Sequence, residues 1–437
     1  MGQIERHNIE YKEAWSDEYL KWICGFANAS GGSIFIGLDD NGKPVRKDNI
    51  KKLSEDIPNK VRDVLGIMVD VFVREKDGVD YLEIKVAPYD FAVSYKSRYY
   101  YRSGSTNSEL RGSALTHFLL GKSGRSWDGI TDDSVGVEDL SDAALKLHLD
   151  KAIIKGRLNQ NVRNMSANER LAKLHLIENG KLTRAAILLF HPEPEGFVPG
   201  AFVKIGAFAD DGTLRYHDEV HGPVIEQIEK AYDLIMTKYS VFNISYDGVQ
   251  RIETAQFPEK SVREALVNAL LHKDYSDSTP IQIKVYSNKI VFWNPGQLPS
   301  QWSMVNLREE HVSMPFNKKM AHALYLSGDI EAWGQGTLEI ISSSLRHSGI
   351  PPIFSDKLSG IMVSIYKTDN AFYDELELDA RMIEIIKHIQ KSGRVSNKDV
   401  QTITGVSKAT ATRLLQSLSE MLLVRRGVGA GAYYYFK

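Results

Sequence analysis

Glu264, Asn268 and His272 recur every four residues within Val262–Tyr275. At roughly 3.6 residues per turn, that spacing puts all three in one row along a helix. Val262, Ala265, Leu266, Ala269 and Leu270 form an apolar stripe beside the row, and Val267 and Leu271 close most of the other side. A helix this apolar is expected to be largely buried, and a buried carboxylate and amide need partners. Two readings are open. One is a core helix with a few satisfied polar groups. The other is a site in which Asn268 holds a metal, Glu264 orients or deprotonates a water, and His272 supports both.

A second group of chemically capable residues lies near the start of the chain. Glu10 and Lys12 share one face of a short strand expected over Ile9–Lys12. Glu5 precedes it, and Asp40 sits in the turn Asp39-Asp40-Asn41-Gly42. Carboxylate oxygens suit Mg or Mn, and such ions can activate water at a phosphodiester. The alternative is that Glu5 and Asp40 are solvated loop acids and that Glu10 pairs with Lys12 or Arg102. Tyr101 and Arg102 end the run Arg98-Tyr99-Tyr100-Tyr101-Arg102. They could stack on bases or bind phosphate. A strand with one aromatic face packed inward explains the run equally well. Gly121-Lys122-Ser123 is no phosphate loop, because the glycine needed five positions earlier is Thr116.

The chain that positions these groups has 437 residues, enough for about three domains. Its composition is ordinary for a globular protein, and a net charge of -2 makes any basic surface a local one. One cysteine, Cys24, excludes an internal disulfide framework and fits a reducing compartment. With no apolar run long enough to span a bilayer and no signal peptide, the expected location is cytoplasmic.

Helices are expected over about 17–28 and 49–65, and strands over 33–38, 69–74, 81–87 and 97–103, the pair 69–74 and 81–87 turning at Asp77-Gly78. Residues 127–133 read as a linker. Helices follow over about 138–155, 164–179 and 221–239, with a strand over 203–208. After the Glu264 helix come strands 281–286 and 289–293, the turn Asn294-Pro295-Gly296, and Gly334-Gln335-Gly336 opening a helix that Gly349 ends. An acidic linker is expected over 368–378. Three short helices and a glycine-rich hairpin then read as a winged helix-turn-helix, its third helix capped by Ser407. From Ala380 onward ten basic residues face three acids, a balance of about +7 where phosphate would be met. Lys408, Thr410, Thr412 and Arg413 would face the groove, and Arg425 and Arg426 the backbone. A protein-contact winged helix is the alternative.

Two resemblances sharpen these readings. Glu5, Glu10-Tyr11-Lys12, Phe26 to Gly32, Ile36-Gly37-Leu38-Asp39-Asp40 and Tyr101 to Gly104 together resemble the Schlafen-type Alba-like domain. That resemblance implies nucleic-acid binding. Eukaryotic Schlafens with an acidic triad here cleave tRNA-like RNA with a metal, and the triad would fall on Glu5, Glu10 and Asp40. The glutamate–asparagine helix, two strands, Asn294-Pro295-Gly296 and Trp333-Gly334-Gln335-Gly336 resemble the GHKL ATP-binding fold, in its divergent bacterial branch. That resemblance implies ATP with Mg, held by Glu264, Asn268, His272, Asn294, Gly296, Gly334 and Gly336. Asn294 stands where that fold usually has an acid that reads the adenine amino group, Gln297 where close relatives tend to have glycine, and Phe316 and Lys318 replace the usual arginine and proline.

The expected architecture is multidomain α+β. It comprises a Schlafen/Alba-like domain over 1–125, a connecting scaffold over 126–255, a GHKL-like domain over 256–368 and a winged helix over 369–437. The expected function is a nucleotide-responsive DNA- or RNA-binding protein, a transcriptional or defence regulator that forms homo-oligomers and needs no membrane. The alternative is a metal-dependent endoribonuclease acting through Glu5, Glu10 and Asp40, in phage defence.

Overall fold

Ile9–Lys12 runs parallel to Gly32–Ile36, because the intervening helix Leu20–Asn28 carries the chain back over the sheet. Val79–Val86 adds antiparallel to the second strand and Asp70–Lys76 to its outer side. The computed structural model describes residues 8–45, 49–104, 106–247, 250–299, 302–331, 334–367 and 369–436. The chain divides into two compact units, Met1–Ser126 and Trp127–Lys437.

In the first unit, Ile23, Phe26, Ala27, Ile34, Ile36, Leu82 and Ile84 form the core. The helix Ile50–Leu65 contributes Ile50, Ile57, Val61 and Leu65, apolar residues at three- and four-residue multiples. It stops at Gly66, whose φ of 68° closes the last turn in the left-handed region. The tyrosine run forms a hairpin, Tyr100–Ser103 with Thr106–Glu109, and Asn28 secures its approach. The Asn28 amide donates to the carbonyls of Val93 and Tyr100, each at 2.8 Å.

The second unit is built on a six-stranded sheet. Its order is Leu214–Val220, Val203–Phe208, Ile281–Val285, Lys289–Pro295, Gly360–Tyr366 and Ile353–Lys357. Two of these strands come from the stretch expected to be connecting scaffold. Glu259–His272 packs on Lys289–Pro295 and between the helices Val224–Leu234 and Gly336–Ser348. The 164–179 stretch, expected as one helix, is helical only over Ala167–Lys173 and turns into the short strand Ile177–Glu178.

The expected linker at 127–133 is structural. Asp128 is buried, and its carboxylate accepts from the backbone N–H of Lys319 and Met320 at 2.9 Å each, capping Lys318–Ser327. The acidic stretch near 368–378 is likewise no linker. Asp369–Glu375 is a helix, and Phe372 and Tyr373 are buried. Thr368 lies outside the described residues.

The last three helices, Ala380–Ser392, Asn397–Thr404 and Lys408–Met421, form a winged helix with the sheet Val395–Ser396, Tyr433–Phe436 and Leu423–Arg426. Its core of Ile385, Ile386, Val400, Leu415 and Leu418 runs without a break into Ile350 and into Ile353 and Tyr366 of the larger sheet. The whole is multidomain α+β. No described helix is long and apolar enough to cross a membrane.

Candidate nucleotide and nucleic-acid sites

The helix Glu259–His272 is fixed at both ends. Near its start, the Ser261 hydroxyl donates to Ile340 O at 2.9 Å and lies 3.1 Å from Ser344 Oγ. At its end, the buried Asn317 amide donates to Leu271 O at 2.7 Å and Lys273 O at 2.9 Å, satisfying carbonyls that the helix leaves open. Lys273 is itself buried, and its ammonium donates to the carbonyls of Asp274, Asp277 and Thr279. Burial pulls that ammonium down to about 8.

Beyond Arg263, only the polar row of this helix keeps surface. Glu264, Asn268 and His272 are partly exposed while their apolar neighbours are buried. All three line one cavity of about 120 Å³, together with Asn294, Gly334 and Gly336. The floor is apolar, with Phe292, Phe354, Ile361 and Val363. Gly296 does not line the cavity but turns the chain beneath it. Its φ is 152°, and a Cβ there would lie 3.0 Å from His272 O.

Asn268 donates to Glu264 Oε1 at 3.5 Å. Burial pushes the Glu264 carboxyl up, and Glu339 adds to this, while Arg263 and Asn268 oppose it. The His272 imidazole drops to about 4, first through burial and then through His311 beside it. Arg263 is held by Asp329, whose carboxylate also receives Lys151 from the helix Asp142–Ile154.

The Gly334-Gln335-Gly336 turn meets the row directly. A Cβ on Gly336 would land on Glu264 Oε1 and 3.1 Å from Asn268 Nδ2. Gly334 has φ 66°, and a Cβ there would land on His311 O. Thr337, the next residue along, lines the cavity with a buried hydroxyl that meets no hydrogen-bond partner among the described residues. A backbone turn with no room for side chains, a helix start and an orphaned hydroxyl fit a phosphate group. Trp333 lies outside the described residues. A further segment, not among the residues expected at the site, also lines the cavity with Trp302, Leu307 and His311, and Trp302 packs edge-on against His311. Its only sequence signal is aromatic and apolar residues in a stretch without periodicity.

Among the described residues, the acids of the first unit do not assemble into a metal site. Glu10 is buried, with Lys12 Nζ 2.6 Å from Oε1 and Arg102 Nη1 2.9 Å from Oε2. Asp40 is exposed in its turn, and Glu5 lies outside the described residues. Among the described residues no group of three His, Cys, Asp or Glu side chains could hold a metal. A carboxylate whose two oxygens already face two cations does not fit the Mg or Mn expected for Glu10 and Asp40.

Arg102 is also placed otherwise than expected. It is 2 % exposed, stacked over Trp22 and Phe26 at 5.0 and 4.7 Å, and therefore turned away from any phosphate in solvent. Tyr101 is half-buried and packs edge-on against Phe118. Lys12 lies over the rings of Tyr19 and Trp22.

In the winged helix, the Ser407 hydroxyl accepts from Thr410 N, capping the third helix. Lys408, Thr412 and Arg413 are exposed on that helix, and Thr410 is half-buried with its hydroxyl 3.1 Å from Ser407 Oγ. Thr412 accepts from Asn397 Nδ2 at 2.9 Å, which ties the second helix to the third. Arg425 and Arg426 are exposed on the wing, and Arg426 lies 5.6 Å from the Tyr435 ring.

Comparisons with known proteins follow this division. Residues 5–111 match the family model for Schlafen, AlbA_2. Residues 278–365 match HATPase_c_4, described as putative ATP-dependent DNA helicase recG C-terminal. That match takes in Asn294, Gly296, Gly334 and Gly336 and begins after the Glu264 helix. Residues 380–427 match the IclR helix-turn-helix domain. No curated protein matches the chain.

Among solved structures, the DIP2311 protein from Corynebacterium diphtheriae is 16% identical, with 99% of this chain and 92% of that one covered and a TM-score of 0.48. The N-terminal domain of a putative ATP-dependent DNA helicase RecG-related protein from Nitrosomonas europaea is 22% identical. It covers 19% of this chain and 65% of its own, with a TM-score of 0.18. The first and third family matches point to nucleic-acid binding and the second to nucleotide binding. The chain thus carries, in order, a Schlafen AlbA_2-type segment, an ATPase-like HATPase_c_4 segment and an IclR-type helix-turn-helix.

Proposed function

We propose that this protein binds nucleic acid in a way that responds to a bound nucleotide, ATP or a close relative, and acts as a regulator. The observation that carries the reading is a shared strand. In Ile353–Lys357, Phe354 lines the nucleotide cavity and Ile353 belongs to the winged-helix core. Neighbouring residues on a strand face opposite sides, so a ligand that moves Phe354 moves Ile353 with it. Gly360–Tyr366 repeats the pattern, with Ile361 and Val363 at the cavity and Tyr366 in the winged-helix core. Glu375 adds a polar link, 2.6 Å from Lys289 Nζ and accepting from Ser364 at 3.4 Å.

The roles divide as follows. Gly334, Gly336 and Thr337 would receive the phosphates. Asn268 and Glu264 would face them, with Asn268 supplying an oxygen to any Mg that travels with the nucleotide. Asn294 would present its carbonyl to the base. Lys408, Thr412, Arg413, Arg425 and Arg426 would meet the nucleic acid, with Thr410 behind them. Glu10, Lys12 and Arg102 would hold the first unit's hairpin in place, leaving that unit to bind rather than cleave.

The test is binding of duplex DNA and of tRNA-like RNA to the full chain, with and without ATP and Mg. The expected result is nucleotide binding and a nucleic-acid affinity that changes with it. Nucleotide binding with no change in that affinity would sink the coupling. Cleavage of the RNA with Mn, lost in Glu10→Ala, would restore the ribonuclease reading.

A further inference from the structure

The six-stranded sheet forms the floor of the nucleotide cavity through Phe292, Asn294, Phe354, Ile361 and Val363. Phe292 and Asn294 are two apart on one strand, with Val363 and Ile361 as their cross-strand partners, so all four share a face. Phe354 joins them opposite Val363. Among the described sheet residues that line the cavity, Asn294 has the one polar side chain. A flat aromatic base suits such a floor, and Asn294 is where its polar edge would be read.

Asn294 is buried, yet its amide is lightly held. Nδ2 donates to Pro295 O at 3.4 Å, and Oδ1 accepts no bond among the described residues. Pro295 O is better served by the backbone N–H of Asp274, at 2.8 Å. Turning the amide over therefore gives up one long bond and leaves no backbone group without a partner. An amide carries a carbonyl acceptor and an NH2 donor side by side. A 6-amino purine offers N6–H beside the acceptor N1, and a 6-oxo purine offers the reverse, O6 beside N1–H. One orientation of Asn294 matches the first edge, and the turned one matches the second. A carboxylate in its place would only accept, and would meet O6 acceptor to acceptor. Gln297 and His272 also line the cavity, and each can likewise present a donor or an acceptor.

We infer that Asn294 makes this cavity a general purine site, which takes 6-amino and 6-oxo purine nucleotides alike rather than ATP alone. The inference rests on the nucleotide reading of the cavity and adds the class of base that it accepts. A response driven from this site would then follow purine triphosphates as a class.

The test is calorimetric titration of the full chain with Mg and either ATP or ITP. ITP isolates position 6, because GTP also adds a 2-amino group. The expected result is a pair of dissociation constants within about tenfold of each other. Asn294→Asp should keep ATP and weaken ITP by about 100-fold, since the turned pairing is closed to a carboxylate. Asn294→Leu, similar in volume, should weaken both nucleotides by a similar factor. A wild-type chain that separates ATP from ITP by more than about tenfold overturns the inference. So does an Asn294→Asp chain that still binds both alike, or a loss confined to one nucleotide in Asn294→Leu. Should the buried carboxylate unfold Asn294→Asp, the wild-type ratio and the Asn294→Leu arm decide. If the wild-type chain binds neither nucleotide, the nucleotide reading itself falls, and this inference with it.

Discussion

Replacing Asp329 by Asn should loosen the nucleotide helix from the scaffold behind it. The Asp329 side chain is fully buried, where it meets Lys151, lies 3.0 Å from Arg263 and accepts from Ser327. Asn keeps the volume and the Ser327 contact but removes the charge that holds two cations. Breaking a buried pair from one side costs about 3–5 kcal/mol. Lys151 and Arg263 both retain solvent, which screens part of that loss. We therefore expect about 2–3 kcal/mol, a fall in melting temperature of roughly 3–5 °C for a unit of this size.

Lys151→Met should cost less, about 1 kcal/mol, because Asp329 keeps Arg263. The double variant should fall short of the sum by at least ~0.5 kcal/mol, as residues in one charge network do. Because Arg263 adjoins Glu264 and lowers its carboxyl, freeing it should also weaken nucleotide binding. Melting followed by circular dichroism, with nucleotide titration of each variant, reads both effects. A shift under about 2 °C for Asp329→Asn, or strict additivity in the cycle, would refute the reasoning.

Two further outcomes follow from the cavity. Gly336→Ala should reduce nucleotide affinity by more than about tenfold, because its methyl group would land on Glu264 Oε1; calorimetric titration checks this. An unchanged affinity would mean that the turn has room to shift. Stability should also depend on pH through His272. Its folded value of about 4 lies below the ordinary 6.5. Between the two, the unfolded chain takes up a proton that the folded chain refuses, so stability falls as pH drops from about 6.5 to about 4. The loss is at most ~3 kcal/mol, given the partial exposure of the ring. His272→Gln should flatten the melting profile across that window, and a profile with the same slope would remove His272 as its source.

Local pattern carried much of this in advance. The four-residue spacing of Glu264, Asn268 and His272 was enough to place them on one helix face, because helical geometry depends only on neighbours along the chain. The winged helix was legible for the same reason. Its caps at Ser396 and Ser407 and its stop at Gly405 are short-range chemistry. The 368–378 stretch reads as a linker because four acids stand among its apolar anchors. Phe372 and Tyr373 could have been found as an apolar pair within it, but the core that they enter comes from residues on both sides.

The sequence alone determined the order of the segments, the polar row, the glycine turns and the basic C-terminal surface. The row and the turns are matters of spacing within some fifteen residues, and the order and the charge need only the linear chain. Tertiary structure decided what that local pattern could not reach. It set Glu10 against both Lys12 and Arg102, because a buried carboxylate takes whatever cations the packing brings to it. It also put Phe354 at the nucleotide cavity and Ile353 in the winged-helix core. A strand's two faces acquire meaning only when distant segments cover each of them.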